Sequence, residues 1–177
     1  MLQLKYPVWV KYICGFIYSH QNIYNQAKQI LIKKFGEIDY ESNEIVFNFT
    51  NYYSKEMGEL LWRRFISFKK LYDPAKLISF KLVCLKVEKK FAINNNRRVN
   101  IDPGYISSAK LILATTKDYY HRIYLGKGIY AEVTLHYQNN TFYDFPTTYP
   151  DYRTAEYKDI FLKIRAIYQQ QIKNYKK

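Results

Sequence analysis

Apolar residues crowd the stretch from Val8 to Tyr18 without alternating with polar ones. Such a run is too dense for a half-exposed strand and predicts a central β-strand covered on both faces. Ile23, Ala27, Ile30, Leu31 and Phe35 then recur at helical spacing, with Asn22 placed to cap and Gly36 to terminate, which predicts a helix over about 22–35. Glu44 to Thr50, where Ile45, Phe47 and Phe49 alternate against Val46 and Asn48, and Leu60 to Leu71 predict two strands joined by the polar stretch Asn51 to Gly58. Asp73-Pro74 opens a second helix, and its apolar positions Leu77, Phe80, Leu82, Val83 and Phe91 carry it to about residue 92. Asn94 to Arg98 reads as a loop, Val99 to Ile101 as a short strand and Asp102-Pro103-Gly104 as a turn. Ser107 to Thr116 fits a helix through Ala109, Ile112, Leu113 and Thr116, or a buried strand through Leu111-Ile112-Leu113; the helical reading is preferred.

Residues 120–137 predict a β-hairpin. A three-residue Gly126-Lys127-Gly128 loop pairs Leu125 with Ile129, Ile123 with Ala131 and His121 with Val133, keeping apolar side chains on one face and setting Tyr124 beside Tyr130 and Arg122 beside Glu132 on the other. Thr154 caps a last helix whose buried stripe is Tyr157, Ile160, Phe161, Ile164, Tyr168 and Ile172, followed by a short basic tail. The expected fold is therefore α+β and a single domain over 1–177: a mixed or antiparallel sheet with a β-α-β-β-α-β start in ferredoxin-like order, a later β-hairpin and a C-terminal helix.

Composition narrows the class. Of 177 residues 48% are hydrophobic and 24% charged, which excludes disordered and collagen-like architectures. The net charge of +13 suggests a polyanionic partner, yet the halves on either side of residue 90 carry +7 and +6, so no segment holds the excess. Lysine outnumbers arginine 21 to 7 in a chain rich in Ile, Asn and Tyr, so a drift toward AT-rich codons is the competing source of the charge. Cys14 and Cys84 lie in apolar runs and read as buried free thiols. With no signal-peptide pattern and no run approaching 18 uncharged apolar residues, the expected setting is a reducing cytoplasm and not a membrane.

Several chemistries are missing. Gly126-Lys127-Gly128-Ile129 lacks the upstream glycine and the hydroxyl of a P-loop, six glycines leave no dinucleotide fingerprint, and two isolated cysteines with three scattered histidines give no zinc motif. No cofactor or metal is indicated. The polar residues that look placed for a purpose lie between 97 and 153. Asn100 and Asp102 flank a strand end, where they also suit a local turn. Lys110, Lys117 and Arg122 would hold a phosphate if they converge and are solvated cations if they do not. His121 is a semi-buried histidine or a general base, and Arg122 with Glu132 makes a cross-strand ion pair or half of an anion site. Tyr149, Asp151, Tyr152 and Arg153 precede a helix N-terminus, where Asp151 either caps or an anion binds.

The strings Phe49-Thr50-Asn51-Tyr52-Tyr53 with Glu56-Met57-Gly58, Asn100-Ile101-Asp102-Pro103-Gly104-Tyr105, Lys110 to Lys117, His121 to Gly126, Gly128 to Val133 and Thr148 to Arg153 resemble, in the same order along nearly the whole chain, the bacterial family of domain of unknown function 4416. That resemblance implies no reaction and no catalytic residues. The leading expectation from the residues is a phosphate-bearing ligand, a nucleotide or RNA segment, in a cleft built from Asn100, Asp102, Lys110, Lys117, Arg122, Glu132, Asp151 and Arg153, with Tyr149 or Tyr152 stacking on a base. Two alternatives stand beside it: an acid–base or metal-assisted hydrolase using Asp102 or Glu132 with His121, and a non-catalytic protein-interaction module.

Overall fold

A computed structural model of the chain describes residues 3, 4 and 6–175. In chain order the elements are β1 (Val10–Tyr18), α1 (Gln21–Phe35), β2 (Ile38–Glu41), β3 (Ile45–Phe47), α2 (Ser54–Met57), β4 (Leu61–Tyr72), α3 (Leu77–Phe91), β5 (Val99–Ile106), β6 (Lys110–Thr115), β7 (Ile123–Gly126), β8 (Ile129–Gln138), β9 (Thr141–Asp144) and α4 (Ala155–Tyr175). Short 3-10 turns at Pro74–Lys76 and Pro150–Arg153 precede α3 and α4. The strands form one sheet in the order β2-β4-β1-β5-β6-β8-β7, with β3 on β4 and β9 on β8, and all of these pairings are antiparallel. Within it the strands β5-β1-β4-β2, linked by α1 and α3, reproduce the ferredoxin-like β-α-β-β-α-β order.

β1 is buried along its whole length because both faces are covered. Tyr12, Cys14, Phe16 and Tyr18 pack under α1 and α3, which contribute Tyr24, Ala27, Leu31, Phe80 and Cys84 to the same cluster. On the opposite face Ile13, with Phe65 of β4 and Leu111 and Leu113 of β6, packs against Tyr157, Ile160, Phe161 and Ile164 of α4. Each such side chain contributes roughly 1.5–3 kcal/mol on burial, so the stripe expected from the sequence is what seats α4. Gln171 of α4 also binds the fully buried ammonium of Lys11, which pairs with Asp39 at 2.6 Å.

Several expectations need correction. The N-cap position of α1 is His20 rather than Asn22, and the strand expected at 44–50 is only Ile45–Phe47. The polar connection after it contains α2. Asp102-Pro103-Gly104 does not turn: all three residues lie inside β5. A proline fits there because the ladder with β6 begins only at Gly104, opposite Leu113. The segment preferred as a helix is the strand β6, whose residues alternate between the two cores, Leu111 and Leu113 to one and Ile112 and Ala114 to the other. With every position from Leu111 to Ala114 apolar, periodicity has no contrast to read there, and strand pairing on both sides decides. In the hairpin Ile123–Ala131 and Tyr124–Tyr130 pair as expected, but Gly126 rather than Leu125 lies opposite Ile129, and the β7–β8 ladder stops before His121. Gly126, Lys127 and Gly128 all have positive φ, which absorbs that shift. β2 and β9 were not anticipated, and the end of the basic tail, Lys176-Lys177, lies outside the described residues. Cys14 and Cys84 are buried free thiols, and among the described residues no helix is long and apolar enough to cross a membrane.

Candidate functional site

β5 and β6 pair only from Gly104–Leu113 to Ile106–Leu111. Beyond that point they part, and the fork opens a cleft of about 470 Å³ lined by Asn100 and Asp102 on one side and by Leu113 to Lys117 on the other. A strand edge left without a partner must satisfy its backbone elsewhere. Here two charged side chains of α3 do so: Lys81 Nζ donates to the Ile101 carbonyl at 3.1 Å and Glu88 Oε1 accepts from the Ile101 amide at 2.7 Å. The segment before α2 closes one wall with Phe49, Tyr52 and Tyr53, while Arg122, Glu132 and Tyr149 to Tyr152 close the other.

A continuous polar chain forms the floor. Glu56 takes a bidentate pair of bonds from Arg97, whose Nη1 donates to Asn100 Oδ1 at 3.0 Å; Asn100 Nδ2 donates to Asp102 Oδ1 at 2.9 Å. Arg63 then joins Asp102 at 3.0 Å to Asp151 at 2.7 Å. Arg63 belongs to β4 and Asp102 to β5, with β1 between them. The crossing is possible because the intervening position is Gly15, where a Cβ would sit 3.0 Å from Arg63 Nη1 and 2.9 Å from the Phe65 ring. Arg63 is 1% exposed, and its guanidinium lies over the rings of Phe47, Phe65, Tyr152 and Tyr157 at 5.0–5.7 Å from their centroids.

These neighbours set the ionisation of the floor. Burial pushes the Asp102 carboxyl up, but the charges of Arg63 and Lys81 outweigh it and hold the group below the usual carboxylate range. Bonds from Arg97 keep Glu56 low. Glu88 is the exception, since burial raises it to about 6 despite Lys81 nearby. A carboxyl whose folded pKa is raised binds its proton more tightly when folded, so it costs stability above that pKa and costs nothing below the unfolded value. Glu88→Gln is therefore expected to raise stability by roughly 2 kcal/mol at pH 7–8 and by little near pH 4. Urea unfolding at the two pH values checks this; an equal change at both would contradict it.

The rim is cationic and aromatic. Lys117 Nζ lies 4.1 Å from the centroid of Tyr52 and, with its hydrogen bond and charge, lowers the Tyr52 hydroxyl pKa. Arg122 donates to the Lys117 carbonyl at 3.0 Å, to the Tyr149 hydroxyl at 2.8 Å and to Glu132 at 2.8 Å. Arg122 is thus tied to the Lys117 backbone on one side and paired with the Glu132 carboxylate on the other. Phe49, Tyr52 and Tyr149 are exposed at this rim.

Of the residues singled out in the sequence, Asn100, Asp102, Lys117, Arg122, Glu132, Tyr149, Asp151 and Tyr152 line this one cleft. Lys110 does not; it is exposed at the start of β6 opposite His136. Arg153 is also outside, tying the preceding loop through the carbonyls of Thr148 and Pro146. Asp151 does not cap a helix, because its carboxylate goes to Arg63 while Thr154 caps α4 through the Tyr157 amide. Tyr152 is buried and stacked on Phe161, so of the two tyrosines only Tyr149 offers a face. His121 is not on an apolar face: its Nε2 lies 3.1 Å from Glu132 Oε2, beside but outside the cleft lining. Asp102 is bonded to Arg63 and Asn100 instead. Among the described residues no cluster of His, Cys, Asp or Glu is arranged to hold a metal ion.

Arg63, Lys81, Glu88, Arg97 and Tyr52 escaped the sequence reading. For three of them a signal existed. Arg63 shares strand parity with the buried Leu61 and Phe65, and Lys81 and Glu88 interrupt the apolar stripe Leu77-Phe80-Cys84-Val87 of α3. A charge on a buried face demands a partner. Arg97 and Tyr52 sit in connections where no periodicity marks them.

The family model described as Domain of unknown function (DUF4416) matches residues 9–168, so the chain belongs to that family. Comparison with curated proteins and with solved structures returned no match.

Proposed function

We propose that the cleft at the β5–β6 fork binds a phosphate-bearing ligand, a nucleotide or RNA segment. The observation that carries this reading is the pairing of two adjacent cations with aromatic faces at the rim, Lys117 with Tyr52 and Arg122 with Tyr149. Lys117 and Arg122 against Glu132 leave one positive charge for a phosphate, and the exposed rings offer stacking for a base. A cleft of about 470 Å³ is within the size of small-ligand sites. Below the rim, Asn100 and the carboxylates of Asp102 and Asp151 supply acceptors for sugar hydroxyls or an exocyclic amine.

The hydrolytic alternative has only the His121–Glu132 contact in its favour, and that imidazole is outside the cleft lining. A thermal-shift panel of nucleotides and sugar phosphates tests the binding reading. At about a hundred times Kd a ligand stabilises by about 2.7 kcal/mol, roughly 5–10 °C for a chain of this size. Lys117→Ala should remove most of that shift while leaving the unliganded melting temperature nearly unchanged, because the side chain is exposed. Arg122→Ala is the poorer probe, since it strands the 4%-exposed Glu132. A flat response across the panel would overturn the reading.

A further inference from the structure

We infer a second binding surface, separate from the cleft: the outer face of the α1/α3 layer docks the phosphate backbone of a nucleic-acid duplex. It does not rest on the cleft reading. α1 contains no acidic residue, and the one acid of α3, Glu88, is turned inward and buried. Lys33, Lys34, Lys86, Lys89 and Lys90 are exposed on these helices and make no ion pair among the described residues. Residues three and four apart share a helix face. Lys86, Lys89 and Lys90 therefore form one stripe, and Asn22, Gln26, Gln29 and Lys33 form another. The stripes adjoin, because Lys33 and Gln29 of α1 and Lys90 of α3 line the same groove between the helices.

The helix dipole accounts for lysines in the last turns, where Lys33, Lys34, Lys89 and Lys90 lie. It does not account for Lys86, and it favours acids in the first turns, which both helices lack. General drift toward lysine also fails to explain the pattern. α4 on the other face mixes signs, with Glu156 and Asp159 exposed near Lys163 and Lys158 paired to Asp144. A face carrying one sign of charge, with amides that can donate between the cations, complements a phosphate backbone.

The partner's form follows from what the face lacks. No large hydrophobic residue of α1 or α3 is exposed, so there is no anchor for insertion into a lipid surface. Phe91, the one ring lining the groove between the helices, is partly buried against the core and is a poor platform for successive unpaired bases, which favours a duplex contacted through its phosphates.

The test is fluorescence anisotropy of the full chain with a labelled 20-base-pair RNA duplex, and a DNA duplex of equal length, across a salt series. About four to five phosphate contacts give a slope of log K against log[salt] near −4. The combined variant Lys33→Gln, Lys34→Gln, Lys86→Gln, Lys89→Gln, Lys90→Gln should weaken binding at least about a hundredfold near 0.1 M salt and bring the slope to about −1. The α4 variant Lys163→Gln, Lys173→Gln should bind as the parent does. Circular dichroism checks that the five-site variant is folded, and the single reversals Lys33→Glu and Lys89→Glu must each weaken binding as well. No duplex binding at low salt, equal loss in the α4 variant, or preference for anionic phosphatidylserine vesicles over the duplex would overturn the inference.

Discussion

Replacing Arg63 by methionine is expected to cost about 3–5 kcal/mol of folding stability. The guanidinium is the shared partner of two carboxylates, Asp102 at 27% and Asp151 at 9% side-chain exposure. Methionine fills much of the volume but leaves both anions in a poorly hydrated site. The pH dependence should change sign with it. In the parent, Asp102 is held below its unfolded pKa, so its contribution is present above that value and lost as pH falls through the lower folded one. In the variant Asp102 loses the guanidinium that holds it low and burial then raises its carboxyl, so acidification from pH 7 toward 4 should recover stability. Adding Asp102→Asn and Asp151→Asn removes the stranded charges, so the triple variant should regain most of the loss at pH 7. Urea unfolding of the parent, the single variant and the triple variant measures this. A cost below about 1 kcal/mol for Arg63→Met would contradict the role assigned to the buried cation.

Gly104→Ala is expected to be of similar size, at least about 3 kcal/mol or outright failure to fold, for a purely steric reason. A Cβ on Gly104 would meet the Ile112 carbonyl oxygen at 2.1 Å and Leu113 Cδ2 at 2.8 Å. The obstacle is backbone of the paired strand β6, so no rotamer change relieves it; β5 and β6 would have to separate where their ladder begins. Because that ladder sets the fork, any folded Gly104→Ala protein should also lose ligand-induced stabilisation. The same substitution at Gly36, where no atom lies within 4 Å but φ is +87°, carries only backbone strain.

Gly104 also shows where sequence reading ran out. Asp-Pro-Gly is a turn signal, and nothing local distinguishes a proline and glycine that bend the chain from a pair that lets a strand leave one neighbour and press against another. Tertiary pairing chose between these, as it did for Leu111 to Ala114, where every residue is buried and both periodicities fit. Elements with contrast were legible: β1 by its density, α1 and α4 by their stripes, and the Tyr124–Tyr130 pair by alternation. The convergence of Asn100, Asp102, Lys117, Arg122, Glu132 and Asp151 on one cleft followed from polar residues clustering in the second half of the chain. Arg63, at the centre of the floor, lies far from them in sequence. It was readable only as a charge on the inward parity of β4, and its two partners were not readable at all.

The most direct measurement is a crystal structure of the chain grown with the nucleotide that stabilises it most. The account predicts phosphate oxygens within about 2.7–3.2 Å of Lys117 Nζ and the Arg122 guanidinium, with the base against Tyr52 or Tyr149. A nucleotide bound with its phosphate away from both cations, or a cleft left unfilled at saturating nucleotide, would contradict it.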